Sequence, residues 1–207
     1  MSCFPFFMEI RGKECLVVGG GRVALRKIEK LRPFGVHITA VSPLFCMELE
    51  EMTDILRIQR HFQPADAEEK FFVIAAADDA EVNEEIAAFC RERNIPVNVV
   101  DAPEQCTFFF PALVKRGELV IGISTGGNSP LAARYIREKT EDVIPMGFER
   151  VIEVLSSVRG QVKAEIPDSR KRERIFQKIF LLAMESSECV TEAEIQEIIR
   201  KEGENHE

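Results

Sequence analysis

The sequence predicts an α/β fold in which a parallel sheet is followed by a small β/α segment and a helical C-terminal region. Three observations support this prediction. Short apolar runs alternate with helical stretches up to about residue 110, which is the pattern of strand–helix–strand units with right-handed crossovers. Two further β-like runs then follow each other without an intervening helix. From Met146 onward the chain reads as helical and rich in charge.

The first part of the chain supplies the strands and helices of the sheet domain. Strands are predicted where apolar and β-branched residues run together, and helices where apolar residues recur at helical spacing, as at Ala24, Ile28 and Leu31. The predicted strands are 14–18, 36–41, 55–62, 71–77 and 96–100. The predicted helices are 23–32, 44–52 and 80–93.

The pattern changes after this region. Two β-like runs, 107–113 and 119–124, are predicted to form a hairpin, or strands outside the first sheet, connected by 114–118. Ser129 is expected to cap the following helix, with Pro130 at its first position. Breaks in the helical tail are expected near Gly160 and at Pro167. These boundaries predict three parts: a nucleotide-binding domain at 1–110, a smaller β/α segment at 111–145 and a helical domain at 146–207.

Composition excludes several classes of protein. The 207 residues are 45% hydrophobic and 30% charged, an ordinary globular balance. A net charge of −8 argues against nucleic acid as a partner, because binding phosphates needs a basic face. No apolar run approaches the roughly 20 residues of a membrane helix, and the N-terminus lacks the basic region of a secretory signal. We therefore expect a cytoplasmic protein that binds neither membranes nor nucleic acid.

The spacing of the cysteines and histidines supports the expectation of a cytoplasmic protein. The six cysteines are scattered without a C-x-x-C pair, and in the absence of a secretion signal we interpret them as reduced and mostly buried thiols. The three histidines have no paired spacing, so we expect no metal site.

The turn after the first predicted strand carries a G-x-G-x-x-A motif in the context that a Rossmann-type dinucleotide site requires, between a strand and a helix. The first glycine permits the tight turn, the second permits close approach of a pyrophosphate, and the alanine permits close packing of the helix on the sheet. The alternative is a glycine-rich turn that only packs. The candidate cofactor-binding residues of this turn are Gly19, Gly21, Arg22, Val23 and Ala24.

The second strand does not end in the acidic residue that commonly binds the ribose hydroxyls. It is followed instead by Ser42, Pro43 and Leu44, whose side chain or backbone groups are candidates for that contact. The residues themselves therefore leave the choice between NAD and NADP open.

Three aspartates follow strands of the predicted sheet. Asp78 and Asp79 come after the fourth strand and Asp101 after the fifth, at the edge where open α/β sheets bind ligands. Asp78 is a candidate cofactor ligand, although this pair can equally cap the next helix. Asp101 is a candidate general base or acid, with a plain turn residue as the alternative.

The segment 124–130 joins a strand to a helix and is rich in hydrogen-bond donors and glycines. Its backbone can form an anion-binding nest, and the next helix adds arginines at i and i+3. An anionic ligand is therefore indicated, with a solvated helix face as the alternative. The candidate substrate-binding residues are Thr125, Gly126, Asn128, Ser129, Arg134 and Arg137.

Taken in order, these motifs resemble the precorrin-2 dehydrogenase family, the dehydrogenase module of siroheme synthases. The resemblance covers nearly the whole chain, and the ordered set is far more specific than any one motif. It rests on VVGGGRVA at 17–24, RK at 26–27, AAADD at 75–79 with Val82 and Asn83, VNVVD at 97–101, FFPA at 109–112, and STGGNSP at 124–130 with Arg134 and Arg137.

The resemblance implies NAD-dependent oxidation of precorrin-2 to sirohydrochlorin in siroheme biosynthesis, with Asp101 as the catalytic residue. It also implies a homodimer formed through the segment after the nucleotide-binding domain. Some members of the family insert ferrous iron into sirohydrochlorin, and the sequence does not decide whether this chain does. An NAD-binding sensor or scaffold without catalytic activity is the alternative function.

Overall fold

The computed structural model describes residues 4–186 and 190–204, so Cys3 and Cys189 lie outside the described residues. The chain divides into two compact units, residues 2–110 and 111–207. Among the described residues, no helix is both long and apolar enough to cross a membrane.

The first unit is built on a five-stranded sheet in the order β3-β2-β1-β4-β5, with every neighbouring pair parallel. This arrangement confirms the predicted fold class. The strand order reverses beside the first strand, so the carboxyl ends of β1, β2 and β4 meet at the crevice where such sheets bind ligands. The strands are β1 Glu14–Val18, β2 His37–Val41, β3 Leu56–Ile58, β4 Phe72–Ala75 and β5 Val97–Val99.

Helices cover both faces of this sheet, which is why its strands are apolar runs without alternation. Helix α1, Arg22–Leu31, buries the predicted stripe of Ala24, Ile28 and Leu31 against one face. Helix α3, Ala80–Glu92, buries Ile86 and Cys90 against the other. The helical spacing and the apolar strands therefore form the two cores of this unit.

The element that follows β2 is shorter than predicted. The structure has a single short helix, α2 Met47–Glu51, where 44–52 was expected. The reason lies in the loop before it, because the Cys46 N–H donates to the carbonyl of Gly20 at 2.8 Å. This bond holds the loop against the glycine turn and delays the start of the helix. Likewise β3 covers only Leu56–Ile58 of the predicted strand 55–62.

The second unit begins with an antiparallel hairpin, β6 Ala112–Arg116 and β7 Leu119–Ile123. The predicted hairpin is confirmed, but its first strand was placed wrongly at 107–113 and its connection wrongly at 114–118. The Thr107 N–H donates to the Val97 carbonyl at 2.8 Å, so this segment runs back along β5 in the first unit. The hairpin turn between β6 and β7 is tight and places Gly117 at φ +54°.

Helix α4, Pro130–Val143, follows the hairpin and begins as predicted. The Ser129 side chain accepts a hydrogen bond from the Ala132 N–H, and Pro130 takes the first helical position. Both features satisfy or remove backbone donors that the helix start would otherwise leave unpaired.

Three helices complete the unit: α5 Phe148–Glu165, α6 Ser169–Glu185 and α7 Glu192–Glu204. The predicted break at Gly160 was wrong, because α5 continues through it. A mid-helix glycine costs only about 1 kcal/mol relative to alanine, and the buried Val158 and Val162 hold the helix in place. The break at Pro167 is confirmed, with Asp168 capping α6. The division of residues 111–207 into two domains stays a prediction.

The four described cysteines, Cys15, Cys46, Cys90 and Cys106, are free thiols as expected, but only Cys15 and Cys90 are buried, whereas Cys46 and Cys106 are partly exposed. Burial raises the pKa of the Cys90 thiol to about 11 and raises the pKa of Cys15 further. Both buried cysteines therefore stay protonated at neutral pH and pack as small apolar side chains.

Candidate functional site

The glycine turn after β1 is fixed by contacts that leave no room for a side chain at its first two glycines. Gly19 has φ +127°, and its N–H donates to the Val41 carbonyl at 2.9 Å. A Cβ at this position would lie 2.1 Å from the Ala76 carbonyl oxygen. Only glycine allows the turn to sit this close to the strands on both sides.

Gly20 is equally constrained. The sequence analysis did not predict this constraint, because Gly20 stands at the variable position of the G-x-G-x-x-A motif. A Cβ on Gly20 would lie 1.9 Å from the Leu44 carbonyl oxygen, and the Gly20 carbonyl accepts the Cys46 N–H. The run of three consecutive glycines is the sequence feature that could have indicated this constraint. Gly20 thus holds the 42–46 loop against the glycine turn.

Gly21 differs from both. It precedes α1 with an ordinary φ of −90° and makes no side-chain cap, and a Cβ there would meet nothing within 4 Å. The space in front of the α1 N-terminus is therefore open. Unpaired backbone N–H groups, the positive end of the helix dipole and a first turn without acidic residues suit this space to a pyrophosphate.

The other candidates of this turn lie where α1 begins. Ala24 is fully buried and packs in the core beneath the helix, as its place in the motif required. Arg22 and Val23 are exposed at the start of the helix. These positions leave both side chains accessible to a bound dinucleotide.

The loop after β2 brings Ser42 and Leu44 next to the glycine turn. The Ser42 hydroxyl is buried and donates to the Leu44 carbonyl at 2.7 Å. The proton of the Ser42 hydroxyl is therefore engaged within the loop. The groups of this loop that remain available to a ligand are the lone pairs of that hydroxyl and the exposed Leu44 side chain. Pro43 contributes its carbonyl to a bond from the Gln59 amide at 3.3 Å.

The loop after β4 separates the two adjacent aspartates. The Asp79 side chain accepts from the Glu81 N–H at 2.9 Å and caps α3, so the capping interpretation is confirmed for Asp79. Asp78 is exposed. The structure adds Asn83, whose buried amide bonds both the N–H and the carbonyl of Ala77, at 3.0 and 2.8 Å. Asn83 therefore fixes the backbone of this loop beside Gly19.

Asp101 lies at the tip of a turn after β5 and is exposed. Its φ of +59° belongs to the left-handed region, which non-glycine residues other than Asn and Asp rarely adopt. The turn is closed behind it by Thr107, whose hydroxyl accepts from the Val97 N–H at 2.7 Å, and by Cys106, whose sulfur accepts from the Val99 N–H at 3.1 Å. The closed turn thus leaves Asp101 exposed directly after the end of β5.

The second unit holds the predicted anion-binding loop before α4. The Thr125 hydroxyl donates to the Ser129 carbonyl at 3.0 Å, and the Asn128 amide donates to the Thr125 carbonyl at 3.1 Å. Gly126 and Gly127 both have positive φ. The loop is therefore ordered by its own bonds, with the Ser129 hydroxyl used as the helix cap.

The predicted basic face of α4 is neutralised within the helix. Arg134 pairs with Glu138 at 2.8 Å, and Arg137 pairs with Glu141 at 2.6 Å. The hydrogen bond from Arg134 lowers the pKa of Glu138. The Arg134 pair is exposed and the Arg137 pair is partly buried, and ion pairs at a protein surface contribute only about 0–1 kcal/mol.

Two family models match the chain. One, described as "Putative NAD(P)-binding", matches residues 6–112. The other, described as "Sirohaem biosynthesis protein central", matches residues 116–142. The first therefore covers the unit with the glycine turn, and the second covers most of the hairpin and α4.

The curated relatives include siroheme synthases. That of Thioalkalivibrio sulfidiphilus is 42% identical over 182 residues, which are 86% of this chain and 37% of the relative. That of Methylobacillus flagellatus is 40% identical over 184 residues, or 87% of this chain and 39% of the relative. The chain thus spans less than two fifths of the length of these relatives.

A solved structure titled "SirC, precorrin-2 dehydrogenase" has a similar fold, with a TM-score of 0.72, 22% identity and coverage of 97% of this chain and 98% of that one. The resemblance that the ordered motifs indicated is confirmed by these comparisons.

Proposed function

Because the chain belongs to this NAD(P)-binding family, we propose that it is an NAD-dependent dehydrogenase that oxidises precorrin-2 to sirohydrochlorin in siroheme biosynthesis. The observation that carries the proposal is the 42% identity to a siroheme synthase over 86% of the chain, on a fold with an open helix N-terminus at the glycine turn.

The glycine turn is the proposed cofactor site. Gly19, Gly21 and the backbone N–H groups of Arg22, Val23 and Ala24 would hold the pyrophosphate, since the structure leaves open space there that a Cβ on Gly21 would fill. The Ser42–Leu44 loop and Asp78 would flank the two halves of the dinucleotide. When bound, NAD supplies the hydride acceptor of the reaction.

Asp101 is the proposed catalytic residue. Oxidation of precorrin-2 removes a hydride and a proton from the macrocycle, and a carboxylate at the nucleotide edge of the sheet can take the proton. The exposed position of Asp101 on the turn after β5 supports this role. The protein's other contribution is to hold the macrocycle in reacting geometry.

The loop and helix of the second unit are the proposed substrate-binding residues: Thr125, Gly126, Asn128, Ser129, Arg134 and Arg137. Precorrin-2 is a polycarboxylate and the chain carries a net charge of −8, so binding needs local cations. Both arginines would exchange their glutamate partners for substrate carboxylates.

A homodimer is part of the proposal. An isolated two-stranded hairpin is marginal in water, yet α4 beside it exposes Leu131 at 78%, Tyr135 at 57% and Val143 at 76%. Contact between two copies would remove these side chains from water. A cytoplasmic location is proposed as well, and the free thiols of the described cysteines support it.

The test is anaerobic mixing of the purified protein with precorrin-2 and NAD. Formation of NADH together with the sirohydrochlorin absorbance is expected. Binding of NAD without turnover would contradict the proposal and favour the sensor or scaffold. Addition of Fe²⁺ in the same cuvette tests the ferrochelatase activity, by metal insertion above the uncatalysed rate.

A further inference from the structure

A buried carboxamide lies in the middle of the edge strand β5. Asn98 is only 5% exposed, while its neighbours Val97 and Val99 point into the core beneath α3. Side chains alternate along a strand, so Asn98 faces the opposite side of the sheet, where α1 packs. A polar group buried there is costly unless it is hydrogen-bonded.

The hydrogen bonds of this carboxamide define its orientation. The Asn98 Oδ1 accepts from the Lys27 Nζ at 2.9 Å, and the Nδ2 donates to the Phe108 carbonyl at 3.0 Å. The same Nδ2 lies 3.5 Å from the Cys106 sulfur. Because an ammonium group only donates, Lys27 forces the oxygen of Asn98 toward α1 and its NH₂ toward the 106–108 segment.

Lys27 is itself held in place. It lies on α1, and its Nζ sits 4.1 Å from the centre of the Phe110 ring, an arrangement that stabilises a cation. Burial, and then the charge of Lys30, lower the pKa of Lys27, whereas Cys106 and Asp101 oppose this shift. Asp101 is therefore one of the charged groups that favour the protonated form of Lys27.

One partner of Asn98, Cys106, also closes the turn that bears Asp101, and another, Phe108, directly follows Thr107, the second residue that closes it. Thr107 pairs with Val97, and Cys106 accepts the Val99 N–H, so the positions of Cys106 and Phe108 determine how the turn 99–107 is closed. We propose that Lys27 is a positioning residue for Asp101, acting through Asn98 to hold this turn in its reactive geometry. The inference rests on the proposed function, because it gives Asp101 a reaction to serve.

The kinetic test is a double-mutant cycle on precorrin-2 oxidation with Lys27→Met and Asn98→Leu. Each single change should lower kcat by about tenfold, as small misplacements of a reacting group do, with the KM for NAD unchanged. If Lys27 acts through Asn98, the double variant should lose no more than either single variant. Lys27→Arg should recover part of kcat, and Lys30→Met, on the same helix, should leave it unchanged.

The proposal would be overturned if the two losses of kcat multiplied in the double variant. It would also be overturned if Lys27→Met kept the wild-type kcat. Asn98→Ala replaces Asn98→Leu in the cycle if the leucine variant does not fold.

Hydrogen exchange provides a test that does not depend on turnover. Lys27→Met should speed exchange of the Val99 and Thr107 amides by about tenfold, with Lys30→Met unchanged. Unchanged exchange in Lys27→Met overturns the positioning role even where kcat falls. If the wild-type protein does not oxidise precorrin-2, the proposed function fails and the exchange rates alone decide the role of Lys27.

Discussion

At the scale of single residues, the three consecutive glycines have two different functions. Gly19 and Gly20 allow backbone to pass against backbone, at the carbonyls of Ala76 and Leu44. Gly21 borders open space instead. The first two are therefore needed for folding, whereas the third matters only when a ligand occupies the helix N-terminus.

This difference predicts opposite outcomes for two alanine substitutions. Gly20→Ala forces a Cβ into the Leu44 carbonyl and should lower the free energy of unfolding by about 1–3 kcal/mol, the usual cost of overpacking. Gly21→Ala should change stability by less than about 1 kcal/mol but weaken NAD binding by about tenfold or more, because its methyl group fills the space of the pyrophosphate. Urea unfolding and calorimetric titration with NAD measure the two effects. Equal destabilisation by both substitutions would contradict this assignment.

At the scale of elements, periodicity and turn chemistry predicted what local sequence determines. The α1 stripe, the apolar strands and the Ser129 and Asp79 caps follow from residue type and spacing alone. The errors occurred where distant contacts decide. Thr107 looks β-like but pairs with β5, the loop before α2 is held by Gly20, and packing carries α5 through Gly160.

The candidate site likewise has parts that local sequence predicts and parts that depend on distant contacts. The positions of the glycine turn and Asp101 were predictable, because each directly follows a strand, whereas the role of Asp101 came from the family resemblance and stays a prediction. Lys27 and Asn98 belong to motifs of the sequence, but no role was predictable for either side chain. Nothing in their spacing shows that a lysine on the first helix bonds an amide 71 residues later, since that contact depends on the order of strands in the sheet.

Glu202 gives a pH-dependent prediction for the helical region. It is 4% exposed and joins α7 to α6 through Lys178 at 2.6 Å and Arg174 at 3.5 Å. The hydrogen bond from Lys178 is the main cause that lowers the pKa of Glu202. A lowered carboxyl pKa in the folded state means that the stabilisation is complete above the unfolded value, about 4.3, and disappears as the pH falls through the folded value.

Glu202→Gln should therefore cost about 1–2 kcal/mol of unfolding free energy at pH 7, and the difference from wild type should shrink below about pH 4.3. Both cations are half exposed, which keeps this cost small. Urea unfolding across pH measures it. Glu204→Gln, which removes an exposed pair with Arg200, serves as the control and should change stability by less than about 0.5 kcal/mol. A loss for Glu202→Gln that is the same at all pH values would contradict the argument.

At the scale of the whole molecule, the two units carry different parts of the proposed chemistry. The first supplies the dinucleotide site and Asp101, and the second supplies the anion-binding loop and an apolar helix face. An acidic protein that binds a polycarboxylate must place its cations locally. The acidic remainder of the surface then serves solubility.

The apolar face of α4 predicts the oligomeric state. Leu131 and Tyr135 lie one helical turn apart and are both exposed, and burying a large apolar side chain contributes about 1.5–3 kcal/mol. Light scattering should give twice the 23.4 kDa chain mass for wild type and the chain mass for Leu131→Glu/Tyr135→Glu. Leu181→Glu, at an exposed position of α6, should remain a dimer. A monomeric wild-type protein would contradict the proposed interface.

The central claim is that Asp101 accepts the proton when precorrin-2 is oxidised, and single-turnover NADH formation in Asp101→Asn tests it most directly. Asparagine tolerates the left-handed backbone of this position, so the substitution removes the charge and preserves the turn. The account predicts a rate at least about 100-fold below wild type with an unchanged Kd for NAD. NADH formation at the wild-type rate would contradict it.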